Sequence, residues 1–311
     1  MKRLVDTNGL EKAEWLRCRK KGLTGTDAGA ITGMNPYVSA FQVYQDKITD
    51  VIEDYDNESM RQGRDLEDYV ARRFMEKTGR KVRHANAIFQ NEEYPFMLAD
   101  FDRLLVGEKA GLECKTVSAY SSDKWKDGNI PLHYQMQVQH YLAVSGYDCW
   151  YIAALILGKE FIIRKIVRDE ELIQNLVTVE ERFWNQNVLA KIAPPPDGSS
   201  SYSEMLEKLH PKDKGETVQL YDCREELRRR DELDGLIDKL KKEKNAIDQS
   251  IKLQMKEASY AVSGDYHISW ITAHQKRIDT QRLKDENPEI YQKYLKDTAS
   301  RRFVVKYQPV A

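Results

Sequence analysis

The chain has 311 residues, 41% of them hydrophobic and 32% charged, which is room for about two domains and too apolar a composition for a disordered chain. Lys and Arg number 49 against 50 Asp and Glu, a net charge of -1; this excludes a histone-like polycation but leaves room for a basic groove beside an acidic site. No apolar run approaches the roughly 18–20 residues needed to cross a bilayer.

The opening MKRLVDTNGLEKAEW has no apolar core, so no signal peptide and a cytoplasmic location are expected. Cys18, Cys114, Cys149 and Cys223 lie far apart without a C-x-x-C pair, so reduced thiols are expected rather than disulfides or a zinc knuckle. Residues 1–193 read as one α/β unit. Glu58 to Lys77 carries Leu66, Tyr69, Val70 and Phe74 at helical spacing, with Gly79 as the stop. Lys81–Asn91, Pro95–Val106 and Gly111–Val117 read as strands, with 107–110 as a hairpin loop. Leu132–Val144 reads as a helix ending near Gly146. Trp150–Leu157 and Glu160–Val167 form a hairpin about Gly158-Lys159, and Asp169–Ile192 a long helix.

Residues 194–203, opening on Pro194-Pro195-Pro196-Asp197-Gly198, have linker chemistry. The extension, 204–311, begins a long amphipathic helix at Cys223–Ala258. In it Leu233, Ile237, Leu240, Ile247 and Ile251 follow 4-3-like steps, Lys244 fills the missing one, and a helical hairpin or short coiled coil is expected. Tyr266–Trp270 and Arg302–Tyr307 read as strands and Pro288–Lys296 as a helix, with Trp270 in the core of a small β layer.

The chemistry concentrates at Asp100-Phe101-Asp102-Arg103 and Gly111-Leu112-Glu113-Cys114-Lys115. Glu113-Cys114-Lys115 is the chain's one Asp/Glu-x-Lys triplet, and strand alternation puts Glu113 and Lys115 on one face. Metal-assisted phosphodiester cleavage needs such a set: carboxylates for hard divalent cations, a metal that activates water and neutralises phosphate charge, and an amine to orient or deprotonate that water. One isolated triplet is commonly a solvated strand, but apolar flanks at Leu112 and Val117 argue against that, since burying unpartnered charges is costly. Glu67 lies at the margin of an apolar helix face. Gln137 and Tyr141 stand one turn apart in a core-type helix. Asp100 and Asp102 share a strand face, and spacing leaves both open as the metal-binding acid. Basic residues group at Arg17, Arg19, Lys20 and Lys21, and at Arg72, Arg73, Lys77, Arg80, Lys81 and Arg83; either group fits a DNA path or a solvated helix face. The six histidines show no metal-ligand spacing.

Five motifs in order carry a resemblance: Trp15-x-x-x-Arg19; Thr24-Gly25-Thr26-Asp27-Ala28-Gly29 with Gly33-Met34-Asn35-Pro36-Tyr37; Gly63-x-x-x-Glu67; Asp102 with Glu113-x-Lys115; and Gln137-x-x-x-Tyr141. Together they resemble the lambda-exonuclease-like, YqaJ-type viral recombinase nucleases. The resemblance implies an α/β, restriction-endonuclease-like PD-(D/E)XK core, a mixed central sheet flanked by helices, followed by a helical and small β extension. By the same resemblance Asp102, Glu113 and the Cys114 backbone carbonyl bind Mg²⁺, for which Mn²⁺ substitutes. Lys115 positions or activates water, and Glu67 assists a second metal or its waters. Gln137 orients the site, Tyr141 supports it, and Arg19 and Thr26 contact DNA phosphate. Two departures stand out: Thr26 where the family usually has Ser, and Arg103 where it usually has Gly. The clustered cysteines of iron–sulfur relatives are missing, so no cluster is expected.

The function implied is a Mg²⁺-dependent DNA exonuclease of a phage or prophage recombination system. It would resect duplex ends 5′ to 3′ for a single-strand annealing recombinase, as a homo-oligomer, ring-like and trimeric by resemblance. An endonuclease of the same fold and a catalytically silent DNA-binding or assembly protein are the competing readings.

Overall fold

The computed structural model describes residues 1–52 and 56–307. They divide into two compact units, Met1–His210 and Pro211–Ala311. The first unit begins with β1 (Lys2–Asp6), α1 (Lys12–Arg19), α2 (Gly25–Ile31), α3 (Ala40–Ile48) and α4 (Glu58–Thr78). Helix α4 is capped by the Asn57 side chain and stopped by Gly79 at φ 70°, a left-handed position that glycine adopts without penalty. Next come β2 (Val82–His84), β3 (Ala87–Gln90), β4 (Leu98–Asp100), β5 (Arg103–Leu105) and β6 (Ala110–Val117). The unit closes with α5 (Leu132–Ser145), β7 (Cys149–Ile156), β8 (Glu160–Val167), α6 (Glu170–Phe183) and α7 (Ser200–Leu209).

The central sheet has the order β2-β5-β6-β7-β8, with β6 and β7 parallel and the other neighbours antiparallel. This is the mixed sheet expected, and β6–α5–β7 is its one crossover through a helix. On one face Val70 and Phe74 of α4 pack on Leu112, Tyr151 and Ala153. On the other, Val138 and Leu142 of α5 pack with Trp150 and with Ile173 and Val177 of α6. Alternation along β6 therefore sends Leu112 toward α4 and Glu113 toward α5.

Two expected strands are broken. Lys81–Asn91 divides into β2 and β3 at Asn86 (φ 49°), and Pro95–Val106 divides into β4 and β5 at Phe101-Asp102. Strands β3 and β4 join β1 in a separate three-stranded sheet, while β2 and β5 stay in the central one. Phe101 fixes the second break, with its ring 4.7–5.2 Å from the rings of Trp150, Tyr141 and Phe89.

Helix α2 lies close on α5 because it carries glycines there. A Cβ on Gly25 would come within 2.4 Å of the Tyr141 ring, and one on Gly29 within 2.9 Å of the His133 Cβ. Gln137, Gln139 and His140 of α5 are buried and partnered. Gln139 donates to the Val167 carbonyl at 2.9 Å. His140, fully buried, has Nδ1 2.9 Å from Glu180 of α6 and Nε2 2.8 Å from the Leu98 carbonyl oxygen of β4. Burial lowers the His140 pKa, but the Glu180 carboxylate outweighs it and holds the imidazole above its ordinary value. The long expected helix is α6, followed by a π-helical turn over Trp184–Leu189.

Helix α7 sits in the first unit: Tyr202 stacks on Phe41 of α3 at 4.3 Å, and Ser201 Oγ accepts from the Ser39 backbone N–H at 3.0 Å. The first unit thus runs past 193, and the stretch 194–203 contains the first turn of α7. In the second unit, α8 (Arg224–Met255) matches the expected long helix, and Leu233, Ile237, Leu240 and Ile247 on it are exposed. A two-stranded hairpin, β9 (Tyr260–Ser263) with β10 (Tyr266–Ser269), is followed by α9 (Thr280–Glu286) and α10 (Pro288–Tyr294). Trp270, expected in a β core, is 46% exposed with Lys252 over its ring: a two-stranded ribbon has no second layer to cover it. Residues 302–307 form no strand, since neither edge of that ribbon takes them up. Among the described residues no helix is long and apolar enough to cross a membrane.

His140→Ala leaves Glu180 as an unpaired buried charge and should cost about 3–5 kcal/mol, measurable as a lower urea midpoint with the same slope.

Candidate active site

Strand β6 and the break between the two sheets build the site. Asp102, at the break, turns its carboxylate onto β6 and accepts from the Cys114 backbone N–H at 2.7 Å. Glu113 is 3% exposed. Its Oε1 accepts from Gln137 Nε2 at 2.7 Å and pairs with Lys115 Nζ at 2.7 Å, while its buried Oε2 has no hydrogen-bond partner. Gln137 also donates to the Tyr141 hydroxyl at 2.7 Å. The one-turn spacing thus sets the Tyr141 hydroxyl on the same Gln137 amide that holds the Glu113 carboxylate.

Burial pushes the Asp102 carboxyl well above the usual range, and the charges of Glu113 and then Glu67 add to it. Burial alone would lower the Lys115 pKa; Glu113, then Tyr134 and Asp102, outweigh it and keep Lys115 an ammonium. Tyr134 contributes its ring as well, 4.6 Å from Lys115 Nζ. Its position one turn before Val138, on the Gln137 side of α5, is the only sequence signal for it. Burial, followed by the Lys115 and Lys124 charges, lowers His133 to a pKa of about 4, so His133 is neutral beside the site.

Arg19 stacks on Trp15 at 4.5 Å, one turn back on α1, which explains that spacing. Its guanidinium donates to Thr24 Oγ1 at 3.1 Å and Thr26 Oγ1 at 3.0 Å and pairs with Asp100 Oδ2 at 3.0 Å. Asp100 and Asp102 therefore face different groups: Asp100 serves Arg19, and Asp102 stands with Glu113. Asp27 accepts from the Thr24 N–H at 2.8 Å and pairs with the buried Lys47 at 2.9 Å. Lys47 left no trace in spacing or motif. Burial raises the Asp27 pKa, but Lys47 outweighs it and brings the carboxyl below its ordinary value.

A single cleft of about 1280 Å³ opens onto Arg19, Thr26, Glu67, Asp102, Glu113 and Lys115, and Cys114 lines it too. Gln137 and Tyr141 stand buried behind Glu113. Glu67 is held by an ion pair from Arg103. Of the basic groups, Arg19 and Lys20 line the cleft. The second group does not: Arg73 and Lys77 cover Phe161, and Arg80 lies over Tyr151 and pairs with Glu108.

Asp102 and Glu113 fit a hard divalent cation. An orphaned buried carboxylate oxygen and a raised acid beside it form an uncompensated donor set, and the Cys114 carbonyl is the neighbouring main-chain oxygen. Among the described residues, no three His, Cys, Asp or Glu side chains converge as a ready-made metal cluster.

The YqaJ-like viral recombinase domain matches residues 14–148. The protein YqaJ of Bacillus subtilis (strain 168) is 40% identical over 308 residues, covering 97% of each chain. Among solved structures, the alkaline exonuclease LHK-Exo of Laribacter hongkongensis, in its complex with dAMP, aligns with a TM-score of 0.50 at 20% identity, covering 64% of this chain and 97% of that one. That likeness carries the restriction-endonuclease-like fold.

Asp102→Asn removes a buried repulsion. It should raise the Tm of the metal-free protein and abolish any further rise on adding Mg²⁺ or Mn²⁺.

Proposed function

Because this chain belongs to the YqaJ-like viral recombinase family, we propose that it is a Mg²⁺-dependent DNA exonuclease that resects duplex ends 5′ to 3′, leaving a 3′ strand for an annealing recombinase. The observation that carries the reading is half-buried Asp102 beside buried Glu113, one Glu113 oxygen lacking any partner, in a cleft that also holds Lys115, Arg19 and Thr26.

Asp102, Glu113 and the Cys114 carbonyl would hold the ion. Mg²⁺ supplies a more acidic bound water and charge neutralisation at the scissile phosphate. Lys115, kept charged by Glu113 at 2.7 Å, donates to the attacking water and orients it. Gln137 fixes the Glu113 carboxylate from behind through its 2.7 Å bond and is itself fixed by Tyr141. Arg19 and Thr26, 3.0 Å apart, offer a guanidinium and a hydroxyl to phosphate oxygens. Trp15 and Asp100 hold that guanidinium in place, so little side-chain freedom is lost on binding.

Lys115→Ala and Glu113→Ala should each lower the rate on linear duplex by at least about 100-fold, while DNA binding, followed by fluorescence anisotropy, persists. Undiminished digestion by both variants would remove the site. Covalently closed circles should resist; rapid nicking of them would favour the endonuclease reading. A 5′-phosphate should accelerate the wild type over a 5′-hydroxyl end, and Arg19→Ala should erase that difference.

A further inference from the structure

Arg103 directly follows Asp102 and is 3% exposed. The fold fixes it firmly. It is the first residue of β5, in register with Leu112 of β6 and His84 of β2. Its guanidinium pairs with Glu67 and Asp68 of α4 and donates to the Asp102 carbonyl oxygen at 2.6 Å. A buried guanidinium is always charged and keeps its fork in one plane. Here it lies against the main chain of Asp102, on the side from which α4 approaches.

Three carboxylates line this cleft without converging on one point: Asp102, Glu113 and Glu67. Lys115 serves Glu113, and Arg103 serves Glu67. Asp102 alone of the three has no ion-pair partner among the described residues. The local charge therefore calls for one more cation, at Asp102 and the orphaned Glu113 oxygen, and Glu67 is already satisfied.

We infer that Arg103 takes the charge-compensating place of a second divalent cation, so that this centre holds a single ion and Glu67 is a positioning residue for Arg103. The inference rests on the metal-dependent reading above. Two-ion phosphodiester centres use their second cation to stabilise charge at the leaving oxygen. In this chain the Arg103 guanidinium, held by Glu67, Asp68 and the Asp102 main chain, balances the carboxylate charge that such an ion would otherwise meet, and it costs no ion from solution.

The test is the number of Mn²⁺ ions bound by the full-length metal-free protein, read by isothermal titration and by the loss of free Mn²⁺ signal in electron paramagnetic resonance. The wild type should bind one ion per chain. Glu67→Gln should also bind one, with affinity changed by less than about threefold, where loss of a group that served the ion would cost about 10–100-fold. Arg103→Gly frees the Glu67 carboxylate and should bind a second ion. Two ions on the wild type, a tenfold or larger loss in Glu67→Gln, or one ion on a folded Arg103→Gly would each overturn the inference and leave the nuclease reading standing. If Arg103→Gly does not fold, the wild-type and Glu67→Gln values decide. No ion on the wild type would overturn the metal-dependent reading and the inference with it.

Discussion

Two neighbouring carboxylates, Glu113 buried and Asp102 partly so, are the constraint on which this unit is organised. Left alone, Asp102 and Glu113 would separate or take up protons. The neighbouring structure prevents separation from three directions. The Cys114 N–H grips Asp102 from β6, Gln137 grips Glu113 from α5, and Lys115 returns one positive charge. Each grip depends on larger packing. Gln137 is in reach because α5 is clamped by α2 through two glycines, and by α6 and β4 through His140. The tight crossing and the buried imidazole thus serve the same two acids that the cleft exposes.

The periodic parts of this fold were legible in the chain. Apolar spacing marked α4, α5 and α8, and apolar runs bounded by turn residues marked β6 and the β7–β8 hairpin, because each of these patterns is local. The strand breaks at 85–86 and 101–102 were not legible. Neither carries Gly or Pro, and what bends the chain there is the pull of two different sheets, a tertiary effect. The same blindness left Asp100 and Asp102 equivalent, although a continuous strand is the one arrangement in which they would share a face. Glu113, Lys115 and Gln137 could be found because their spacing is short. Lys47 and Tyr134 act on the site across folded distance, and no run of residues announces them. Arg103 was visible as a departure, but its partners come from α4, thirty-odd positions earlier, so its effect on Glu67 needed coordinates.

The second unit shows the converse. Its long helix follows from apolar spacing, yet Leu233, Ile237, Leu240 and Ile247 point to solvent and its hairpin leaves Trp270 uncovered. Sequence pattern there identifies an element without saying what it packs on, whereas in the first unit every amphipathic stripe has a visible counterpart.

Asp102 belongs to neither sheet. It is the hinge-pin residue where the backbone leaves one layer for the other, locked on one side by Phe101 among three aromatic rings and on the other by Arg103. Small slippage between the layers therefore registers first as misaimed carboxylate oxygens, long before any strand comes loose. Among tolerated substitutions at the interface between the layers, activity should be the more sensitive gauge of alignment and melting temperature the blunter one.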